Sequence, residues 1–537
     1  FGPGRPPTSP RCSARSADRM NRPADAGVRA VAGRGATWPS RAAATAWAVS
    51  VALGAAGLLA VASGLVDLLG DGHETSRLLV TGGAAGLLAS VIAVWVRPPD
   101  RIRDADVLCA VTGSLILFIV TVSGLLLLVE PAGGLADALF RATTAATTTA
   151  LETGPVDPAN HAVRFLVGGA QWLGGIGALL VAVAVLPFFG AGREFADRSR
   201  RGGRRPMAPD PATAVRNLGI VHGLACAVTL AGFLVVGVAP FDAVLLAMAT
   251  ASTGGLVSSP DLESAAVQWV AIIGMAIAGM SLVVLWRLGV GRVRSLLRST
   301  ELQAYLVLLV VGPALFLLWT DGSGIDGVRR AAFTVTAAVT TTGFPSAPGG
   351  TWAPAAPVLL LGLVSIGPMT GSAGGGFQIL RHRILARVAI RELLRQLHPQ
   401  AVIPARLGGR IAAEGTLARV VVTQFLFVSV LFLTAVVVAS AGLDLPTALG
   451  AAVHAISSAG PIRALDGSLV DVGSWPTGVR LALLPAMVVG RLSVYPAVVA
   501  LGAGTTLIRD RVRLRRRLVA RIGAGKRARR RSSEVVG

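Results

Sequence analysis

Charge is scarce in this 537-residue chain. Only 15% of positions carry Asp, Glu, Lys or Arg, whereas 53% are hydrophobic and the mean hydropathy is +0.67. Soluble domains place charge on about a quarter of their positions, so a soluble globular protein is excluded. Lysine is all but missing, Lys526 being the single one, and arginine therefore carries the net charge of +22. In a soluble chain that balance would point to nucleic acid. Here the arginines gather in short runs between long apolar stretches, where they orient membrane spans, so the partner is the lipid bilayer and not nucleic acid. The three cysteines, Cys12, Cys109 and Cys226, have no CxxC spacing, which argues against a disulfide framework or a zinc site. No Walker A, HExxH or GxSxG sequence occurs, and the GxGxxG match at Gly322, Gly324 and Gly327 follows an apolar run instead of a strand. No enzyme activity and no bound organic cofactor are expected.

Apolar runs of roughly 20 residues, enough to cross about 30 Å of hydrocarbon, begin near Ala42, Leu78, Asp106, Ala162, Ala212, Ala265, Leu302, Ala355, Val420 and Pro476. This predicts ten spans in an all-α polytopic membrane protein. Arginine clusters (Arg193 to Arg205, Arg287 to Arg298, Arg381 to Arg410 and the tail Arg509 to Arg531) mark one face as cytoplasmic, with both termini on that side and an inner, plasma-membrane location. Acids such as Glu130, Asp157, Asp261, Asp326 and Asp466 mark the other face. The predicted division is a disordered basic tail (1–41, with Met20 as the first plausible start), two leading spans (42–105), four units (106–210, 211–299, 300–411 and 412–508) and a basic cytoplasmic tail (509–537).

Each of the four units holds, on the acidic side, a segment too short to cross: Leu135 to Leu151, Phe241 to Leu256, Val328 to Phe344 and Leu445 to Ile462. All end in small polar residues, which reads as a fourfold repeat of re-entrant helices. A helix that stops inside a membrane leaves carbonyls unpaired and turns its negative dipole end inward, an arrangement that a cation satisfies. The residues that follow, Thr149 and Ala150, Thr253, Gly254 and Gly255, Thr341, Thr342 and Gly343, and Ser458, Ala459 and Gly460, form the candidate filter for a monovalent cation. The competing reading is close packing of small residues between helices.

These residues resemble the potassium-uptake superfamily of Trk, Ktr and plant HKT proteins, most closely the bacterial Trk type. The similarity rests on TTTAL at Thr147, QWLGGIG at Gln171, AVAVLP at Ala182, STGGL at Ser252, TTTGF at Thr340, GSAGGG at Gly371, LHPQAVIP at Leu397, SAGP at Ser458 and GRL at Gly490. The resemblance implies a pseudo-fourfold pore of helix, pore helix, helix repeats, with filter positions at Ala150, Gly255, Gly343 and Gly460. It also implies K⁺ at the filter carbonyls, a homodimer and a cytosolic ring of nucleotide-binding regulatory domains. The family pattern has Gly where Ala150 stands, Asn near Ser457 and Ser458, Gly at Ile462, Lys at Gln378 and Glu at Ser493. Plant relatives with a small non-Gly residue in the first filter tend to carry Na⁺, so either K⁺ or Na⁺ is the expected ion.

Five further features carry expectations. Arg491 falls within an apolar run, where an unpaired guanidinium costs about 2.5–3.5 kcal/mol on insertion scales. It reads as a cation barrier in the pore, or as a structural ion pair. Gly371, Ser372, Ala373, Gly374, Gly375 and Gly376 break what would be a span and read as an unwound gate, or as a close helix crossing. His454 reads as a core histidine, and Glu152 as a collector of cations at the mouth or a solvated loop carboxylate. Ala150, with its Cβ, is expected not to copy the left-handed backbone of a filter glycine. The functions in play are a cation channel driven by membrane potential, an alternating-access carrier, and a non-conducting scaffold or membrane enzyme derived from such a fold.

Overall fold

The computed structural model describes residues 38–69, 75–95, 104–154, 157, 159–185, 211–256, 260–291, 299–345, 352–400, 406–407, 410–411, 414–494, 497–498 and 502. Cys12, Met20, Lys526, the Arg193 to Arg205 loop and most of both basic tails lie outside these residues. Sixteen α-helices make up the described part, with one two-residue hairpin pair, β1 (Arg406–Leu407) and β2 (Arg410–Ile411). The fold is all-α, as expected.

Two leading helices, α1 (Trp38–Leu69) and α2 (Thr75–Trp95), pack along each other, and α1 lies against the first repeat. Repeat 1 is α3 (Asp104–Val129), α4 (Gly134–Ala146) and α5 (His161–Val185). Repeat 2 is α6 (Pro211–Val235), α7 (Pro240–Ser252), α8 (Ala265–Ala278) and α9 (Leu282–Gly289). Repeat 3 is α10 (Thr300–Leu317), α11 (Gly324–Val339), α12 (Ala355–Ile366) and α13 (Ile379–Leu397). Repeat 4 is α14 (Glu414–Ser440), α15 (Leu445–Ser457) and α16 (Thr477–Arg491). The short helices α4, α7, α11 and α15 coincide with the four re-entrant segments, three of them beginning within a residue of the expected start and α11 four residues early.

Seven helices among the described residues are long and apolar enough to cross a membrane, and α8 with α9 forms an eighth, bent by 102°. Ten continuous spans are therefore not seen among the described residues. The second spans of repeats 2, 3 and 4 break at Gly279–Ser281, Gly367–Gln378 and Leu492–Val494. The causes are local. Gly367, with φ 70°, precedes Pro368, which has no N–H and excludes helical geometry from the residue before it. Ser493 and Val494 both take left-handed φ, 61° and 48°.

The repeats close into a ring. The second span of each packs on the short helix of the next: α5 on α7, α8 on α11, α12 on α15 and α16 on α4. Two of these seams carry an ion pair at the rim where the short helices begin. Arg164 of α5 meets Asp242 in the first turn of α7, and Arg480 of α16 donates to Asp137 in the first turn of α4 at 2.9 Å. Arg164 and Arg480 lie ten residues before Gly174 and Gly490, two glycines in matching places. A Cβ on Gly174 would lie 2.2 Å from the Ala146 carbonyl oxygen, and one on Gly490 would lie 2.0 Å from that of Ile456.

Candidate ion-conduction site

Each short helix ends in the same way. The residue that leaves the helix turns left-handed: Thr148 (φ 53°), Thr253 (φ 55°), Thr341 (φ 57°) and Ser458 (φ 50°). Left-handed φ is uncommon for any side chain and a genuine outlier for β-branched threonine, and it persists only where the surroundings impose it. Four such residues in one register, all fully buried, mark a functional conformation. At the start of α15, Asp444 accepts from the Thr447 N–H at 3.2 Å, and hydrogen bonding from the Thr447 side chain and then its N–H holds the carboxyl below the usual carboxylate pKa.

The four strands that follow meet one another in sequence. A Cβ on Gly255 would lie 2.6 Å from the Gly343 carbonyl oxygen, one on Gly343 would lie 2.0 Å from that of Gly460, and one on Gly460 would lie 2.2 Å from that of Ala150. Thr149, Ala150, Thr253, Gly254, Gly255, Thr341, Thr342, Gly343, Ser458, Ala459 and Gly460 are thus brought together. The expectation for Ala150 is overturned. It takes φ 54°, in the same region as Gly343 at φ 70°, whereas Gly255 and Gly460 do not have left-handed φ. Residue type misled because only one of its three counterparts uses the freedom that glycine offers. A single left-handed alanine costs about 1–2 kcal/mol, which buried packing supports.

The peptide after each left-handed residue is fixed in one of two ways. In strands 1 and 3 that residue is a threonine, and its hydroxyl pairs with the threonine two positions earlier: Thr149 with Thr147 at 2.7 Å and Thr342 with Thr340 at 2.8 Å. In strands 2 and 4 it is Gly254 or Ala459, which have no hydroxyl. Gln171 of α5 reaches across the seam, donating its amide to the Gly254 carbonyl and accepting from the Leu256 N–H at 3.1 Å. His454 of α15 lies 3.0 Å through Nδ1 from the Ala459 carbonyl. The Gln171 contact joins positions 83 residues apart and is invisible in sequence. QWLGGIG singles out the segment without saying what the glutamine does.

Beneath the strands, at the C-terminal ends of the short helices, runs the Gly371 to Gly376 segment, unwound between α12 and α13. The Gly375 N–H donates to the Thr341 hydroxyl at 2.8 Å and the Gly376 N–H to the Ser457 carbonyl at 2.9 Å. The Leu282 N–H donates to the Gly371 carbonyl at 3.0 Å. Just before the segment, the Thr370 N–H donates to the buried carboxylate of Glu301 at 2.7 Å. Arg491, fully buried, donates from Nη1 to the Ala373 carbonyl and from Nη2 to the Gly174 carbonyl, each at 3.0 Å, so these two anchors are main-chain oxygens and not a carboxylate. Its register is informative. Because Gly490 matches Gly174, Arg491 matches Gly175, where a Cβ would lie 2.7 Å from Ser252 of the next repeat. Repeat 4 thus places a guanidinium where repeat 1 has a close-packed glycine.

The donors on offer are oxygens of one kind. Among the described residues no group of three His, Cys, Asp or Glu side chains could hold a metal. The hydroxyls of Thr148, Ser457 and Ser458 are buried without a hydrogen-bond partner, and such groups cost free energy unless something accepts or coordinates them.

Sequence comparison agrees with this geometry. The family model described as TrkH, a cation transport protein, matches residues 322–503. The Trk system potassium uptake protein TrkH of Halomonas elongata is 29% identical over 382 residues, covering 68% of this chain and 78% of the relative. TrkH of Escherichia coli is 29% identical over 387 residues, with the same coverage of 68% and 78%. The chain is thus similar to Trk-type potassium uptake proteins across about two thirds of its length. TrkI of Halomonas elongata, 27% identical over 431 residues, extends the Trk-type match to 77% of this chain and 87% of the relative. The crystal structure of the potassium transporter TrkH from Vibrio parahaemolyticus shares the Trk-type fold, with a TM-score of 0.75 at 22% identity over 85% of this chain and 98% of that chain. Trk-type proteins are ion transporters and not enzymes, and this one is a multi-pass membrane protein.

Proposed function

We propose that the chain is the membrane subunit of a potassium-uptake system, passing K⁺, and Na⁺ less readily, through one pore. The observation that carries this reading is the ring of four repeats, whose strands each leave a short helix through a left-handed residue in the same register and meet at Gly255–Gly343, Gly343–Gly460 and Gly460–Ala150. Helix C-termini bring partial negative charge to that ring, and the unpartnered hydroxyls of Thr148 and Ser458 add oxygen ligands. The potassium uptake named for the relatives supports K⁺ as the ion. An inside-negative potential drives entry by about 2.3 kcal/mol per charge per 100 mV, so no covalent chemistry is needed.

The filter is assigned to Thr149–Ala150, Thr253–Gly255, Thr341–Gly343 and Ser458–Gly460, the gate to Gly371–Gly376 and the cation barrier to Arg491. The gate assignment rests on an unwound segment held to the filter by two hydrogen bonds. The barrier assignment rests on a guanidinium anchored by main-chain carbonyls directly on that segment. The wider assembly is a homodimer in the plasma membrane with both termini cytoplasmic, opened by a cytosolic nucleotide-binding ring acting on α13.

The test is uptake into liposomes under an imposed inside-negative potential. Accumulation of K⁺ and Rb⁺ above Na⁺ is expected, and absence of cation flux from well-folded protein overturns the reading.

A further inference from the structure

We propose that His454 is a positioning residue of the filter, which holds the Ala459 peptide of strand 4 as Gln171 holds the Gly254 peptide of strand 2. The inference rests on the pore reading above and adds to it the means by which the fourth strand is kept in register.

Gly254 and Ala459 occupy one position, the residue immediately after the left-handed Thr253 and Ser458. In strands 1 and 3 that position is Thr149 or Thr342, and a hydroxyl pair fixes it. Glycine and alanine cannot make that pair. Both even strands instead receive a side-chain donor at the same carbonyl, from Gln171 in one and His454 in the other. The Ala459 carbonyl can only accept, so His454 Nδ1 carries the proton. The histidine holds Ala459 on both sides, because its own main-chain carbonyl accepts from the Ala459 N–H at 3.1 Å while its ring meets the Ala459 carbonyl. Thr144 and Ala249 accept the corresponding N–H of strands 1 and 2 through their main chains, but neither places a side-chain donor on the carbonyl. The second hold is therefore particular to strand 4.

A role in filling space explains less. His454 borders a cavity of about 270 Å³ between repeats 3 and 4, walled by Leu360, Leu449 and Leu465 and reaching the backbone of Gly343 and Gly460. Any medium-sized apolar side chain would fill that region as well, without an imidazole to desolvate. At the outer end of this seam Arg463 of repeat 4 lies over the Trp352 ring of repeat 3 at 4.8 Å, a contact that leaves the Ala459 carbonyl to His454.

The experiment compares His454→Leu with His454→Asn in liposomes, reading the K⁺ to Na⁺ uptake ratio. Asparagine places an N–H donor close to the position of Nδ1, and leucine offers none. The leucine variant is expected to lower the ratio about five- to tenfold, with the asparagine variant within about twofold of the parent. An unchanged ratio in a leucine variant that conducts as the parent does overturns the proposal. Should the leucine variant fail to insert, the asparagine variant decides: retention of the ratio supports the role, and a fall of about tenfold overturns it. Parent protein that conducts no cation would instead defeat the pore reading.

Discussion

The odd and even strands of the ring solve one problem with different chemistry. Strands 1 and 3 carry their latch within themselves, in the pairs Thr147 with Thr149 and Thr340 with Thr342. Strands 2 and 4 have no such hydroxyl and take a donor from behind, Gln171 across a seam or His454 from the preceding helix. The left-handed turn recurs in all four repeats, whereas the means of holding it alternates. What recurs is the fixed peptide, and the side chain that fixes it varies.

Arg491 breaks the ring's symmetry most, and its replacement carries the largest expected effect. Arg491→Ala removes a fixed positive charge and two anchors on main-chain carbonyls. Uptake should rise more than tenfold, since a unit charge several ångströms from the ion's path is worth about 2 kcal/mol at an effective dielectric near 20. Unchanged uptake would remove the barrier role. Gln171→Leu tests the even strands more severely than the histidine, because two bonds worth about 1 kcal/mol each are lost. The K⁺ to Na⁺ ratio should fall about tenfold, and a ratio as high as the parent's would separate the even-strand donors from selectivity.

Thr342→Val keeps the shape of the side chain and deletes the odd-strand latch. One hydrogen bond is at stake, so a fall of about fivefold in the same ratio is expected. An effect larger than that of Gln171→Leu would reverse the ranking of the two devices. Gly375→Ala acts below the ring, where a Cβ would lie 2.0 Å from the Ser457 carbonyl oxygen. The segment must shift, and open probability in single-channel records should change about threefold with the ion ratio held within twofold. A changed ratio with unchanged open probability would assign Gly375 to the filter. Ala150→Gly carries the smallest effect. Ala150 is already left-handed, so the ratio should stay within about twofold of the parent.

The four short helices and the turns that end them were legible in sequence because the pattern repeats: four short apolar segments, each running into small and polar residues. Of the three broken spans, the one in repeat 3 was legible from the glycines at 371–376, whereas the breaks at Gly279 and Ser493 were not, since hydropathy averages over them while backbone geometry breaks there. The backbone of Ala150 was misjudged because register and not residue type sets φ, as Gly255 and Gly460 make plain from the other side. His454 looked like a core residue because its partner is a carbonyl five positions on, a pairing that depends on how the chain leaves the helix. For Gln171 and Arg491 the decisive partners lie 83 and 317 residues away, and no local pattern encodes them.

Locating the ion tests the account most directly. Crystals of the protein grown in Rb⁺ should give an anomalous peak on the axis of the four strands, ringed by main-chain oxygens of the stretches around Ala150, Gly255, Gly343 and Gly460. A filter region empty of Rb⁺ at saturating concentration, in protein that still takes up K⁺ in liposomes, would contradict it.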